Sequence, residues 1–161
     1  ERGEVCARGP QVMKGYWKRP DATERTLYDG ALRTGDIGYL DEDGYLFLVD
    51  RIKDLILSGG YNVYPRTIED AAYEFPSVSE AIAVGVPDHY RGEAPWLFVA
   101  PKPGETIDVE ALQAFLSQRL SRFEKPERIE VRASLPKTQV GKLSKKDLIA
   151  QEQALITAGA R

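Results

Sequence analysis

The pattern of this chain changes at Asp50, and that change limits the folds open to it. Before Asp50 the apolar runs are short and broken by Gly and Pro. Residues 4–8, 31–33 and 45–50 alternate as strands do, with side chains taking turns on two faces. Asp41-Glu42-Asp43-Gly44 separates two such runs, so 37–40 and 45–49 are expected to pair as a hairpin. This portion reads as all-β. After Asp50 strand and helix signals alternate. Residues 53–58 form an apolar strand, and Pro65 then stands where a helix begins. Ile68, Ala71, Ala72 and Phe75 fall on one helical face, stopped by Pro76. Residues 78–86 and 96–100 read as strands. Asp108 is an N-cap for a helix with Leu112, Phe115, Leu116 and Leu120 on its buried stripe. Residues 128–132 are a further strand. Ser144 with Asp147 resembles a capping box opening a last helix through Leu155, after which the tail is expected to fray. The resulting order is hairpin, helix, strand, strand, helix, strand, helix. The fold class is α+β: a small domain with a central sheet flanked by helices plus a hairpin, preceded by an all-β piece. The opening GEVCARGP already alternates like a strand, so the chain is expected to continue a longer polypeptide.

Composition narrows the function. The 161 residues are 42% hydrophobic, with no apolar stretch near the roughly 20 residues that span a bilayer. One Cys and one His leave nothing for a His/Cys metal site, and the lone Cys6 suits a reducing, cytoplasmic setting. A net charge of −3 argues against nucleic acid as a partner. The charge is uneven, however: between residues 117 and 146 nine Lys or Arg stand against three Glu. Such a patch attracts a polyanionic small ligand, although a solvated face accounts for most of these positions.

Four constellations could carry chemistry. Thr34-Gly35-Asp36 sets a carboxylate just past a Gly turn, where two oxygens can accept from the two hydroxyls of a ribose; a turn Asp capping its own backbone is the plainer reading. Asp50-Arg51-Ile52-Lys53-Asp54 is a candidate domain joint whose guanidinium could reach a ribose or phosphate oxygen, or a surface ion-pair cluster. Ser58-Gly59-Gly60-Tyr61 offers bare backbone to a narrow ligand, or is simply a hairpin turn. Pro136 to Lys142, PKTQVGK, projects an ammonium from a loop before a capped helix, suited to an oxyanion or phosphate.

Taken in order, these segments resemble the AMP-forming acyl-CoA ligases of the adenylate-forming superfamily. The resemblance runs through GEVCARGPQVMKGYWKRPDAT, RTGD, DGYL followed by DR-x-K-D and SGGYNVYP, VPD with GE, KP-x-x-I and LPKTQVGK, and covers nearly all of residues 1–150. It implies that residues 1–51 are the β-rich C-terminal part of a large adenylation domain, 52–154 a small mobile C-terminal domain and 155–161 a tail. It further implies that Asp36 and Arg51 bind the nucleotide ribose, that Lys53 is the hinge and that Lys142 is catalytic in adenylate formation. Ser58, Gly59, Gly60 and Tyr61 would face the pantetheine of coenzyme A, with Phe123 and Lys125 at its nucleotide. ATP, with Mg2+ accompanying it, and coenzyme A are the implied cofactors, and a carboxylic acid the substrate. The remainder of the N-terminal domain is the implied partner. SGGYNVYP is most similar to fatty-acid–CoA ligases. A carrier-protein-loading adenylation domain ranks lower, because Leu-Ser-Gly-Gly stands where those show Lys-Ile-Arg-Gly. A stand-alone binding module is opposed by the retained Asp36, Arg51, Lys53 and Lys142. This chain departs from the family at Thr67, at Pro95-Trp96 and at Arg91, where some relatives carry Trp. The Gly/Ser/Thr-rich phosphate loop of such enzymes does not occur in it, so the chain alone is expected to be inactive.

Overall fold

The computed structural model of the protein describes residues 1–157, with side chains through 154. The chain divides into two compact units, Glu1–Lys53 and Asp54–Arg161.

In the first unit, β3 (Ala31–Leu40) is the hub. It pairs antiparallel with β1 (Gly3–Ala7), β2 (Leu27–Tyr28) and β4 (Leu46–Arg51). The expected hairpin is present, with Leu40 opposite Leu46 and Asp41 accepting hydrogen bonds from the amides of Asp43 and Tyr45. The unit is not purely β, because Pro20–Thr26 forms a short helix, α1. None of its residues is buried, so no apolar stripe marks it in the sequence; Pro20 at the first helical position, Asp21 in the first turn and Arg25 in the last are its local signals.

A β-bulge interrupts the β3–β4 ladder. Gly38 pairs with Leu48, but Ile37 pairs with Asp50, leaving Val49 as the extra residue. Gly38 sits tightly here: a Cβ on it would lie 2.7 Å from the carbonyl oxygen of Phe47.

In the second unit, β5 (Ile56–Ser58) and β6 (Tyr61–Val63) form a hairpin at one end of a five-stranded sheet. The order is β6-β5-β8-β7, with β7 (Val78–Asp88) and β8 (Gly92–Pro101) as long antiparallel partners. β9 (Arg128–Val131) joins β8 in parallel. The helices are α2 (Pro65–Tyr73), α3 (Val109–Ser117) and α4 (Lys145–Thr157). The order of elements is the one expected, but the strand expected over 53–58 is shorter. Residues 52–54 make a 3₁₀ turn and only Ile56–Ser58 are extended. The ladder stops at the Ile56–Val63 pair because Pro65, two residues on, lacks an N–H and opens α2.

Alternation along β7 and β8 builds two cores. Ala81, Ala83, Leu97 and Val99 pack with Ile68, Ala71 and Ala72 of α2 and Leu112 and Leu116 of α3. Their neighbours Ile82, Val84, Phe98 and Ala100 pack with Leu135 and with Leu148 of α4. The caps follow the sequence. Asp108 accepts from the amides of Glu110 and Ala111, and Ser144 Oγ from that of Asp147. The outer edge of β7 is blunted by α2: Glu69 accepts from the Ala83 amide at 2.9 Å and the Tyr73 hydroxyl from that of Ala81 at 3.2 Å. The tail expected over 155–161 is helical to Thr157, and 158–161 lie outside the described residues.

Candidate functional site

The first unit brings Asp36 and Arg51 together. They are opposite residues in the β3–β4 ladder, and Arg51 Nε donates to Asp36 Oδ1 at 3.1 Å. The bulge decides this pairing. The register set at Leu40 and Leu46, carried on unbroken, would place Asp50 opposite Asp36 and set two carboxylates side by side. Gly35, with φ +73°, turns the chain, and Thr34 Oγ1 accepts from the Asp36 amide while donating to the Val5 carbonyl. Asp36 is thus held by two strands and keeps an accessible carboxylate. Lys53 lies exposed on the 3₁₀ turn Ile52–Asp54.

In the second unit, Gly59 and Gly60 are the two-residue loop between β5 and β6. Their φ values of +58° and +82° fit the turn that matches strand twist and that glycine adopts without strain. Both are exposed, as is Tyr61, which stacks on Phe123 with ring centroids 3.7 Å apart. Ser58 is placed differently. It shares a strand face with Ile56, so its side chain enters the core; the residue is fully buried, and among the described residues its hydroxyl has no hydrogen-bond partner. In this arrangement Ser58 presents nothing to a ligand, a correction to its grouping with Gly59, Gly60 and Tyr61.

A cleft of about 850 Å³ opens beside this turn. Gly59, Tyr90 and Phe123 line it together with three cations, Arg91, Arg122 and Lys125. The Arg91 carbonyl accepts from the Gly59 amide at 2.8 Å, tying the glycine turn to the 88–92 turn. Asp88 fixes that second turn. The amides of Arg91 and Tyr90 donate to its carboxylate and hold its pKa below the ordinary value. Arg91 also pairs with Glu127. The basic region divides accordingly. Arg119, Arg128, Arg132, Lys137 and Lys145 have carboxylate partners. Among the described residues Arg122, Lys125, Lys142 and Lys146 have none, and two of these four face the cleft. Arg91 and Arg122 were not singled out as binding residues from sequence, because only the fold carries residues 91 and 122 to one opening.

Lys142 lies on the other side of the sheet. It precedes Leu143, which packs against the core formed with α4, whereas Phe123 packs against the core formed with α2 and α3. The sheet therefore mounts the glycine turn with its cleft and the Lys142 loop on opposite faces. Among the described residues no group of three or more His, Cys, Asp or Glu is placed to hold a metal ion, and no helix is long and apolar enough to cross a membrane.

Residues 67–142 match the AMP-binding enzyme C-terminal domain. The chain is 49% identical to a long-chain-fatty-acid–CoA ligase of Bacillus subtilis, over 94% of this chain and 27% of that protein. It is 45% identical to a 2-succinylbenzoate–CoA ligase of Geobacillus kaustophilus, over 92% of this chain and 30% of that one. In structure it resembles ATP-bound MatB from Rhodopseudomonas palustris, with a TM-score of 0.88 and 36% identity over 94% of this chain and 30% of the other. The chain thus spans roughly a quarter to a third of the length of these proteins.

Proposed function

We propose that this chain is the C-terminal portion of an ATP-dependent, AMP-forming acid–CoA ligase, acting in the cytoplasm. Residues 1–51 end its large adenylation domain and 52–154 are its small mobile domain. In the first step the substrate carboxylate attacks the α-phosphorus of ATP, forming the acyl-adenylate and releasing pyrophosphate. In the second the thiol of coenzyme A, losing its proton, attacks the acyl carbon and AMP leaves. Asp36 accepts from the ribose hydroxyls, with Arg51 beside it. The Lys142 ammonium offsets charge on the carboxylate and α-phosphate. The small domain then turns about Lys53, withdraws Lys142 and brings in Gly59, Gly60 and Tyr61 for the pantetheine. Phe123, Lys125, Arg91 and Arg122 receive the nucleotide end of coenzyme A, whose phosphates suit three cations around one cleft. Mg2+ travels on the nucleotide. The observation that carries this reading is the mounting of the two groups on opposite faces of one sheet. One rotation can exchange them at a single site, so each step has its own preorganised groups.

We take the acid to be a fatty acid, on the 49% identity to the Bacillus ligase. The test uses the full-length protein with a panel of carboxylic acids. Fatty-acid-dependent ATP–pyrophosphate exchange is expected to fall about 10²–10³-fold in Lys142→Ala, while conversion of supplied acyl-adenylate to acyl-CoA is retained. Lys125→Ala is expected to raise the KM for coenzyme A and leave exchange unchanged. Undiminished exchange in Lys142→Ala, with thioester formation lost instead, would overturn the assignment of Lys142. The 161-residue chain alone is expected to form no acyl-CoA.

A further inference from the structure

The Lys142 side chain is long, exposed and without a carboxylate partner among the described residues, so its position depends on its backbone. That backbone belongs to a small closed loop. Leu135, buried, leads into it, and Leu143 leads out onto the same core. Lys137 and Leu143 form an antiparallel bridge, and the Ser144 amide donates to the Pro136 carbonyl at 2.9 Å. The base is braced from the sheet: Glu80 on β7 pairs with Lys137 and accepts from the Leu135 amide at 2.9 Å. Beyond this base the loop has no core to rest on; Val140 at its tip is 78% exposed. Closure there falls to Thr138. Its amide donates to the Lys142 carbonyl at 2.7 Å, its hydroxyl accepts from the Lys142 amide at 3.2 Å, and its carbonyl accepts from the Gly141 amide at 2.9 Å. Gly141, at φ +80°, makes the turn that returns Lys142 to Thr138. Among the described residues this hydroxyl is the only side-chain group that hydrogen-bonds within the loop.

We propose that Thr138 is a positioning residue for Lys142. It grips both backbone polar groups of Lys142, and so fixes the point from which the ammonium is delivered. This rests on the reading of Lys142 as the cation of adenylate formation. Holding a catalytic group in place is worth large factors in rate, and a displacement of about 1 Å can cost roughly 100-fold. The hydroxyl is one of several restraints, so its removal is expected to cost on the order of 10-fold in kcat.

The experiment compares Thr138→Val, Thr138→Ser and Lys142→Ala in the full-length protein. Each is assayed for ATP–pyrophosphate exchange and, separately, for conversion of supplied acyl-adenylate to acyl-CoA. Valine keeps the shape and loses the acceptor; serine keeps the acceptor. Support consists of a fall in exchange kcat of roughly 10-fold in Thr138→Val, with the KM for ATP and the second step within about twofold of wild type, and recovery in Thr138→Ser. Circular dichroism and the melting temperature report whether Thr138→Val is folded, and Thr138→Ala, which also lacks the acceptor, carries the test if it is not. Equal loss in both steps, or no recovery with serine, overturns the proposal by making the role structural. Unchanged exchange in Thr138→Val while Lys142→Ala abolishes it also overturns the proposal and leaves the role of Lys142 standing. Unchanged exchange in Lys142→Ala removes the underlying assignment itself.

Discussion

The two units handle apolar surface in opposite ways. The second encloses it: Phe98, Leu97, Leu112, Leu116, Ile68 and Leu148 are fully buried on the two faces of its sheet. The first leaves it out. Its buried hydrophobic residues are Ala31 and Ile37, while Leu40, Tyr45, Leu46, Phe47 and Leu48 stand exposed along one hairpin. Tyr39 and Phe47 stack across that hairpin with centroids 5.3 Å apart, yet remain open to solvent. A sheet whose apolar side chains stay uncovered does not make a core by itself, whereas a sheet covered on both faces does. The lesson is one of enclosure: the second unit surrounds a core of its own, and the first buries little apolar surface.

That contrast can be broken most easily at the core. Phe98→Ala is expected to cost the second unit about 3–5 kcal/mol, whereas Leu48→Ala in the first should change stability by less than about 0.5 kcal/mol. Urea unfolding of the two variants measures both, and comparable losses would remove the distinction. A smaller effect is expected where the first unit is tight. Gly38→Ala forces a Cβ toward the Phe47 carbonyl oxygen and should cost about 1–3 kcal/mol. Hydrogen exchange should then speed up in β3 and β4 and stay unchanged in β7 and β8. The smallest effect is a pH dependence in the second unit. Burial raises the Glu80 pKa, but the hydrogen bonds from Lys137 and the Leu135 amide outweigh it and hold the carboxyl below its ordinary value. Such a group favours the folded state above the unfolded-chain pKa, and its contribution fades as pH falls through the lower folded value. The stability gap between wild type and Glu80→Gln should therefore be full at neutral pH and close below the usual carboxylate range, as read from thermal melts.

Much of the fold was legible because the signals are local. The second unit's order of elements followed from period and punctuation: Pro65 before α2, Asp108 before α3, Ser144 before α4, and two glycines between β5 and β6. The helix α1 was not legible, since it buries nothing and leaves no periodic stripe. Nor was the shortness of β5, which depends on where its partner strand ends. The same division holds for the candidate site. Asp36, Arg51, Gly59, Gly60 and Lys142 stood out by type and setting. Arg91 and Arg122 did not, because their common cleft joins segments some 30 residues apart. Ser58 was grouped with its exposed neighbours, and only strand alternation around Ile56 shows that it turns inward.

By itself, then, the sequence determined which residue types are available and how each short segment bends, since caps, turns and periodicity act over a few residues. Tertiary structure decided which groups meet. The bulge at Val49 sets Arg51, and not Asp50, opposite Asp36. The covering of both sheet faces sends the glycine turn one way and Lys142 the other. These outcomes depend on register and on which face each core buries, and such long-range choices are fixed only when the strands pair and pack.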